Sequence, residues 1–555
     1  MSSVAAPFLT ARRPRSTAVA VRRKPRRWPV ESTFLFLITF ILYMIVADYL
    51  VIHLHYTNGD AFTRVADATY VLYSRDPHLG AIGFVWPPLP GLLNIPILAL
   101  QHWFPFLIER AFAGSVQAAL FGAGTVVLIN MGLRRAGVIL PVRWLVLVVW
   151  LANPMIALYS AQGMSEGPFV FFVIASFLAF MRWTDTRHPG ELAALGVLVG
   201  LGTLVRIEMV PVAMVIGAGV LACAIRRKVG WREIETTVLL YALPALFVFG
   251  LWVGSMWVIE RDPLYNFHTA YAAGQATVTG GFGAGAVADF AHSWRTTVTY
   301  IGQQYLQLFP AVVVLMGAVA LRAVFAKDRR PALVLLALAF PVPLVDMYLL
   351  HGGGLPLVLR YQIYVIPYAV ILGIFLLKDF RKVSPRVVSF AALTLVALIG
   401  VSDLSTFELM SSPRAPEESV AVIAAERNVS VGLINNEFDP YDGARWAAQA
   451  IAAADKDHGL IAMDTFGGAA IYLTAPDRSI YVVTSDENFQ AVINQPQAYH
   501  VEYFLVPPPG GYGSLNAINV LYPTLWANGD NFATLAAEIG GGLRLYRISG
   551  VTGHG

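Results

Sequence analysis

The chain has 555 residues, of which 57% are hydrophobic and only 13% are charged, and its mean hydropathy is +0.60. Soluble globular domains carry about 25% charged residues, so this composition excludes an ordinary soluble enzyme and indicates a polytopic membrane protein. The net charge of +4 does not indicate a nucleic-acid partner, because the basic residues form short clusters beside apolar segments. The single cysteine, Cys223, excludes a disulfide framework.

The first thirty residues are basic and poor in apolar side chains. Arginines and lysines alternate there with Pro, Ser and Ala, so we expect residues 1–30 to form a disordered cytoplasmic tail. The apolar segment 33–54 is long enough to cross a bilayer, for which roughly 20 residues are needed. The charges before it should hold its start inside, and since no small-residue cleavage site follows, we expect an anchor rather than a removable signal.

Ten further apolar segments follow, and arginine and lysine gather at alternate ends of them. By the positive-inside rule those ends are cytoplasmic, which predicts a multi-pass protein of the cell membrane with a cytoplasmic N-terminus. An odd number of spans, eleven, then places residues 405–555 outside. The ten segments are 109–133, 142–160, 167–182, 190–207, 209–225, 236–258, 300–325, 331–350, 356–377 and 386–404.

Residues 405–555 differ in kind from the membrane domain predicted at 31–404. Short β-rich runs alternate there with helical stretches, which is typical of a small α/β domain with a mostly parallel sheet. The predicted strands are 431–435, 459–464, 479–485, 502–507 and 543–548. The predicted fold is therefore a polytopic α-helical membrane protein with an extracytoplasmic α/β domain.

The segment 54–94, after the first predicted span, is too polar and rich in proline to cross a membrane. An Asn-Gly pair precedes Asp60, so a helix can begin there, and Asp60, Arg64 and Asp67 then fall on one stripe of it. We expect this helix to lie along the membrane surface. A helix cap is the ordinary role for Asp60. However, a base that acts on a lipid-borne substrate needs to be at this boundary, so we interpret the segment as a catalytic loop.

A second long exterior segment, 259–299, has a glycine-rich centre. Its sequence Gly-Gly-Phe-Gly-Ala-Gly is not a phosphate loop, because no strand precedes it and no Gly-Lys-Ser/Thr follows. We interpret the segment as either a lid over a site at the membrane edge or a plain linker.

Several ionisable residues occur at predicted exterior ends of spans, where insertion into the membrane costs about 2.5–3.5 kcal/mol per charge. They are Glu166, Arg206, Glu208, His351 and Arg360. Each has an ordinary alternative: Arg206 and Glu208 can form an interfacial pair, Arg360 can reach towards the headgroups, and Glu166 can complement a helix dipole. Together they predict an exterior cavity with carboxylates and arginine, whose planar fork suits a phosphate.

These features resemble the GT-C glycosyltransferases. The resemblance rests on the Asp-bearing first exterior loop, Pro-Pro-Leu at 87–89, the acidic turn with Glu166, and Arg360-Tyr361 at the start of a late span. It covers roughly residues 33–377 and is strongest for the branch of the dolichyl-phosphate-mannose protein mannosyltransferases and aminoarabinose transferases. It implies inverting transfer of a sugar from a polyprenyl-phosphate donor to a hydroxyl of a protein, lipid or glycan on the exterior face.

The resemblance also implies roles for the acidic residues. Asp60 would be the general base for the acceptor hydroxyl, and Glu166 would orient the acceptor or the sugar. The loop has Asn58-Gly59-Asp60 where some members have paired acidic residues, which leaves Asp67 open as the base.

The carrier phosphate would be held by basic and polar residues in the same cavity. Arg360 and Tyr361 are implied as its principal ligands, and Arg64, Arg206 and His351 are further candidates. The sequence has no clustered His, Cys and carboxylate ligand set, so no cofactor is predicted, and a divalent metal is left open.

Two other classes of function are compatible with the composition. A transporter or flippase of lipid-linked sugars would use the same cavity without a base, and a non-catalytic membrane scaffold would use only the exterior domain. The enzyme is favoured because the charges gather on one face, whereas alternating access requires a site near the membrane midplane.

Overall fold

The structure is a computed structural model that describes residues 30–226, 230–269, 271–272, 290, 293–326, 328–380, 384–435, 440–454, 459–539 and 542–549. Among these residues, eight helical segments are long and apolar enough to cross a membrane. They are Val30–His53, Phe112–Ala136, Glu166–Thr186, Met209–Arg226, Trp231–Glu260, Arg330–His351, Leu359–Phe380 and Arg386–Met410. The protein is therefore a polytopic α-helical membrane protein.

Three more apolar elements lie where the remaining spans were predicted. Two are helix pairs bent by 70° and 91°: Leu140–Ala152 with Pro154–Ala161, and Trp294–Leu308 with Ala311–Phe325. The third is the shorter helix Pro189–Thr203.

Helix Pro189–Thr203 packs closely on helix Trp231–Glu260 because glycines face the contact. A Cβ atom at Gly196 would lie 2.3 Å from the carbonyl oxygen of Tyr241, which leaves no room for a side chain. This close packing fixes the end of the shorter helix, from which Arg206 follows.

The segment after the first span forms short helices, including the one predicted to begin near Asp60. They are the π-helix Asp48–His53, the helix Gly59–Tyr73, the 3-10 helix Leu79–Ile82, and the helices Leu89–Leu98 and Phe106–Glu109. At ten residues and with Pro96 inside it, Leu89–Leu98 is too short to cross a bilayer.

Helix Gly59–Tyr73, which we call the site helix, is capped by Asn58 and not by Asp60. The Asn58 side chain accepts a hydrogen bond from the Asp60 backbone N–H at 3.0 Å, so the Asp60 carboxylate is free for other contacts. The expected position of this helix along the membrane surface stays a prediction, and the helix is largely enclosed by protein. Its three alanine side chains and Val65 are buried, and the C-terminal domain covers its end, where the ring centres of Tyr70 and Tyr472 are 4.9 Å apart.

The C-terminal domain contains a five-stranded sheet. The strands are Leu460–Met463, Tyr481–Val483, Val501–Val506, Ala533–Glu538 and Arg544–Ile548. Their spatial order in the sheet is second, first, third, fifth, fourth. The first strand pairs in parallel with the second and the third, and the fifth strand pairs antiparallel with the third and the fourth. The domain also contains seven α-helices: Pro416–Arg427, Val431–Asn435, Pro440–Ala454, Thr465–Thr474, Phe489–Asn494, Ala517–Leu521 and Leu525–Asn528.

Four of the five predicted strands are confirmed, and two expectations about the domain are wrong. Residues 431–435 form a helix, because a five-residue apolar run fits either structure and its Leu433 is 71% exposed. Strand Ala533–Glu538 was missed since most of its residues are solvent-exposed and give no apolar signal. With it, the sheet is mixed and not mostly parallel.

The domain packs on one end of the helical part, which we call the domain face. The Val431 N–H donates to the Leu54 carbonyl at 2.9 Å, and the Tyr472 hydroxyl donates to the Tyr73 carbonyl at 3.2 Å. The predicted tail, 1–30, lies outside the described residues except for Val30. Of the predicted lid or linker, 259–299, residues 270, 273–289 and 291–292 also lie outside them.

Candidate functional site

Ionisable side chains from five separate parts of the chain meet at the domain face, where the helical part and the C-terminal domain join. We call this group the arginine–carboxylate cluster. It contains Asp60, Arg64, Glu166, Arg206, Glu208, Arg360 and Glu417. The sequence predicted that residues far apart in the chain would converge here, and the structure brings most of them together.

Arg360 lies at the centre of the cluster and is only 7% exposed. Its Nη2 is 3.0 Å from Oδ2 of Asp60, and its Nε is 3.5 Å from Oε2 of Glu417. Its Nη1 donates to Oδ1 of Asn58 at 3.3 Å. The guanidinium therefore bridges the site helix and the C-terminal domain.

The 3-10 helix Leu359–Tyr364 precedes a buried span and presents both Arg360 and Tyr361 to the cluster. The Tyr361 ring centre is 5.7 Å from the Arg360 guanidinium carbon and 5.2 Å from that of Arg206. Tyr361 thus lies against two cations, which its ring face stabilises.

Arg206 is held by two carboxylates. It forms a buried ion pair with Glu166, which is 0% exposed, and donates from Nε and Nη2 to Oε1 of Glu208 at 3.1 and 2.5 Å. The interfacial pair considered for Arg206 and Glu208 is present, and Glu166 joins it. Since both partners are acidic, Arg206 has little positive charge left for an added anion.

Arg64 has a different environment from the other two arginines. Its Nη1 donates to the backbone carbonyl of Asp60 at 3.3 Å, its Nη2 donates to the Ser165 hydroxyl at 3.4 Å, and its guanidinium lies over the Trp86 ring at 5.3 Å. Within the described part of the chain it forms no ion pair. Arg64 is therefore the cation of the cluster with the most uncompensated charge.

Asp60 and Asp67, the two candidate bases, differ in their electrostatics. Burial would raise the pKa of the Asp60 carboxyl, but the guanidinium groups of Arg360, Arg64 and Arg206 outweigh it and hold the pKa below its usual value. Burial raises the pKa of Asp67 well above its usual value, which Arg64 offsets only in part. Asp60 is thus ionised at neutral pH and is 31% exposed through its side chain.

The sequence analysis missed Glu417 and Glu418, which begin the first helix of the C-terminal domain. Burial, opposed in part by Arg360, raises the pKa of Glu417 to about 7. The Tyr159 hydroxyl donates to Oε1 of Glu418 at 2.6 Å, and the Tyr56 hydroxyl donates to the Glu417 carbonyl at 3.1 Å. The only local feature of the sequence was Pro-Glu-Glu shortly after the last predicted span, and it does not predict a contact with Arg360.

His351 has a separate position at the end of helix Pro341–His351, where its ring stacks on Trp294 at 4.0 Å between ring centres. His351 is therefore not part of the arginine–carboxylate cluster. Among the described residues, no group of three or more His, Cys, Asp or Glu side chains is arranged to hold a metal ion.

No family model and no curated protein matches this chain. Among solved structures, it is similar to ArnT from Cupriavidus metallidurans bound to undecaprenyl phosphate, with 14% identity, a TM-score of 0.49, and 93% of this chain and 97% of ArnT covered. It is also similar to the archaeal oligosaccharyltransferase AglB from Archaeoglobus fulgidus in complex with an inhibitory peptide and a dolichol-phosphate, with 11% identity, a TM-score of 0.45, and coverage of 90% and 71%.

Proposed function

We propose that this protein is a membrane glycosyltransferase that transfers a sugar from a polyprenyl-phosphate donor to a hydroxyl acceptor at the domain face, with inversion at the anomeric carbon. The observation that carries the proposal is the pairing of Asp60 with Arg360 at the domain face. It provides an ionised, partly open carboxylate beside a buried guanidinium. Glycosyl transfer from a phosphate requires a base at one end of the reacting bond and positive charge at the other.

In this mechanism the acceptor hydroxyl attacks the anomeric carbon while the bond from that carbon to the phosphate oxygen breaks. Asp60 takes the hydroxyl proton, and the charge that develops on the departing phosphate is stabilised by Arg360 and Arg64. Because attack and departure occur on opposite faces of the carbon, the sugar has to enter between Asp60 and Arg360. Their direct contact therefore belongs to the empty site and opens when the donor binds.

The remaining cluster residues support this centre. We assign Glu166 and Glu208 to holding Arg206, since both carboxylates contact it. Tyr361 positions the two guanidinium groups that it contacts. Asp67 is the second candidate for the base, and His351 is the weakest candidate for the phosphate, because its ring is engaged with Trp294.

We further propose that the domain face is extracytoplasmic. Arginines lie at the opposite ends of the helices, for example Arg134 and Arg135 at the end of Phe112–Ala136 and Arg226 at the end of Met209–Arg226. The positive-inside rule places those ends in the cytoplasm. The acceptor would then be a protein, lipid or glycan outside the cytoplasm.

The proposal is tested by incubating the purified protein with polyprenyl-phosphate-linked sugars and an extract of envelope acceptors. We expect release of free polyprenyl phosphate together with a new glycoside, and loss of both in the Asp60→Asn variant. Movement of an intact lipid-linked sugar across proteoliposomes, without cleavage of the phosphate bond, would indicate a transporter instead.

A further inference from the structure

The edge of Arg360 that best binds a phosphate is already occupied. A guanidinium grips a phosphate or carboxylate with two parallel N–H groups, and Nε and Nη2 form such an edge. Here the two nitrogens face two different side chains, Glu417 at 3.5 Å from Nε and Asp60 at 3.0 Å from Nη2. A donor phosphate can use this edge only after a carboxylate has moved away.

The contact with Glu417 is the weaker of the two. The Arg360 Nε and the Glu417 Oε2 are both buried, and neither has a hydrogen-bond partner. The distance between them is that of an ion pair without a direct hydrogen bond. Asp60, by contrast, has Arg64 nearby on its own helix, so its negative charge stays compensated when Arg360 turns towards a phosphate.

A carboxylate at this position also compensates the charge of Arg360 when no phosphate is bound. A buried guanidinium needs compensating negative charge, and in the empty site Glu417 supplies part of it beside Asp60. If one anion replaces another, the net charge of the buried site stays constant between the empty and the loaded state.

Building on the function proposed above, we propose that Glu417, a residue of the C-terminal domain, occupies the donor-phosphate position on Arg360 in the empty enzyme, and that the phosphate binds by displacing it. The domain then contributes directly to the membrane site, and its carboxylate competes with the donor for the same guanidinium. Displacement also frees Arg360 from the domain, which couples donor binding to the domain interface.

The competition predicts a pH dependence. The charged groups that face Glu417 are Arg360, Asp60, Glu166 and its neighbour Glu418, and burial raises the pKa of Glu417 to about 7. Only the ionised form of Glu417 competes with a phosphate. As the pH rises through about 7 the ionised fraction grows, so donor binding weakens. Asp60 adds nothing to this change, because its pKa lies below its usual value and it stays ionised throughout.

The test measures binding of a methyl undecaprenyl phosphodiester to the full-length protein in detergent at pH 6 and pH 8. A phosphodiester is the right probe because its single charge does not titrate in this range, whereas a phosphate monoester has a second pKa of about 6. For the wild type we expect the Kd to rise by up to roughly tenfold between the two pH values. For Glu417→Gln we expect tight binding at both.

Glu418→Gln is the matched control, since this neighbouring carboxylate is hydrogen-bonded by Tyr159 and does not pair with Arg360. It should keep the pH dependence of the wild type. Glu417→Asp retains the charge on a shorter side chain, so it should bind the probe more tightly than the wild type at pH 8. This second variant keeps the inference testable if Glu417→Gln does not fold.

Two results would overturn the inference: probe binding in Glu417→Gln that is no tighter than in the wild type at pH 8, or a wild-type Kd that does not change with pH. Arg360→Ala separates this failure from that of the proposed function. If Arg360→Ala abolishes binding while the Glu417 variants leave it unchanged, the phosphate site stands and only the role of Glu417 fails. If Arg360→Ala has no effect, the proposed phosphate site itself fails.

Discussion

The role of Asp60 as the base leads to a specific kinetic prediction for Asp60→Asn. Asparagine has nearly the same shape but cannot accept the acceptor proton, so kcat should fall by roughly 10²–10⁴-fold, the usual contribution of a general base. Donor binding should not suffer. Arg360 loses the partner at 3.0 Å but keeps Glu417 at 3.5 Å, so its charge is more available to a phosphate. We therefore expect the KM for the donor to stay the same or to fall.

The assay follows the release of polyprenyl phosphate at saturating acceptor over a range of donor concentrations. Asp67→Asn is the matched control on the same helix. Burial raises the pKa of Asp67 well above its usual value, which favours the neutral carboxyl, and an amide is a close substitute for that form. We expect its kcat to stay within a few-fold of the wild type. Full turnover in Asp60→Asn, with loss of turnover in Asp67→Asn, would refute our choice of base.

Three further predictions concern the phosphate, the buried ion pairs and the packing. Arg360→Lys should raise the KM for the donor roughly ten- to hundredfold, because an ammonium group cannot replace the bidentate fork, and steady-state kinetics will measure this. Arg206→Gln should lower the free energy of unfolding by about 3–5 kcal/mol, since it leaves two buried carboxylates without their cation. Thermal unfolding in detergent measures this loss, and an unchanged melting temperature would contradict the prediction. A Cβ atom at Gly114 would lie 2.7 Å from the Cα of Gly163, so Gly114→Ala should lower stability by about 1–3 kcal/mol, whereas Gly250→Ala, with nothing within 4 Å, should have little effect.

Much of the helical part was predictable because its signals are local. Apolar segments of sufficient length and alternating basic ends predict spans, and the described helices lie where those spans were predicted. The start of the site helix was also predictable from Asn58-Gly59-Asp60, although the cap proved to be Asn58. The C-terminal domain was harder, because short runs such as 431–435 fit a helix as well as a strand.

The candidate site was predictable only as a set of residue types on one face. Ionisable residues at the predicted exterior ends of spans indicated Asp60, Arg206 and Arg360 as members. Their pairing depends on tertiary contacts between distant parts of the chain. For this reason the sequence did not show that two carboxylates neutralise the charge of Arg206, or that Arg64 forms no ion pair among the described residues. Glu417 was missed for the same reason, since its partner lies in the membrane domain.

The most direct test of the central proposal compares envelope glycans from cells that carry the wild-type protein, no protein, or the Asp60→Asn variant at equal abundance. We predict that one sugar modification is present with the wild type and absent in the other two strains, and that the corresponding polyprenyl-phosphate sugar accumulates in both. Glycans from the Asp60→Asn strain that match the wild type would contradict the proposal.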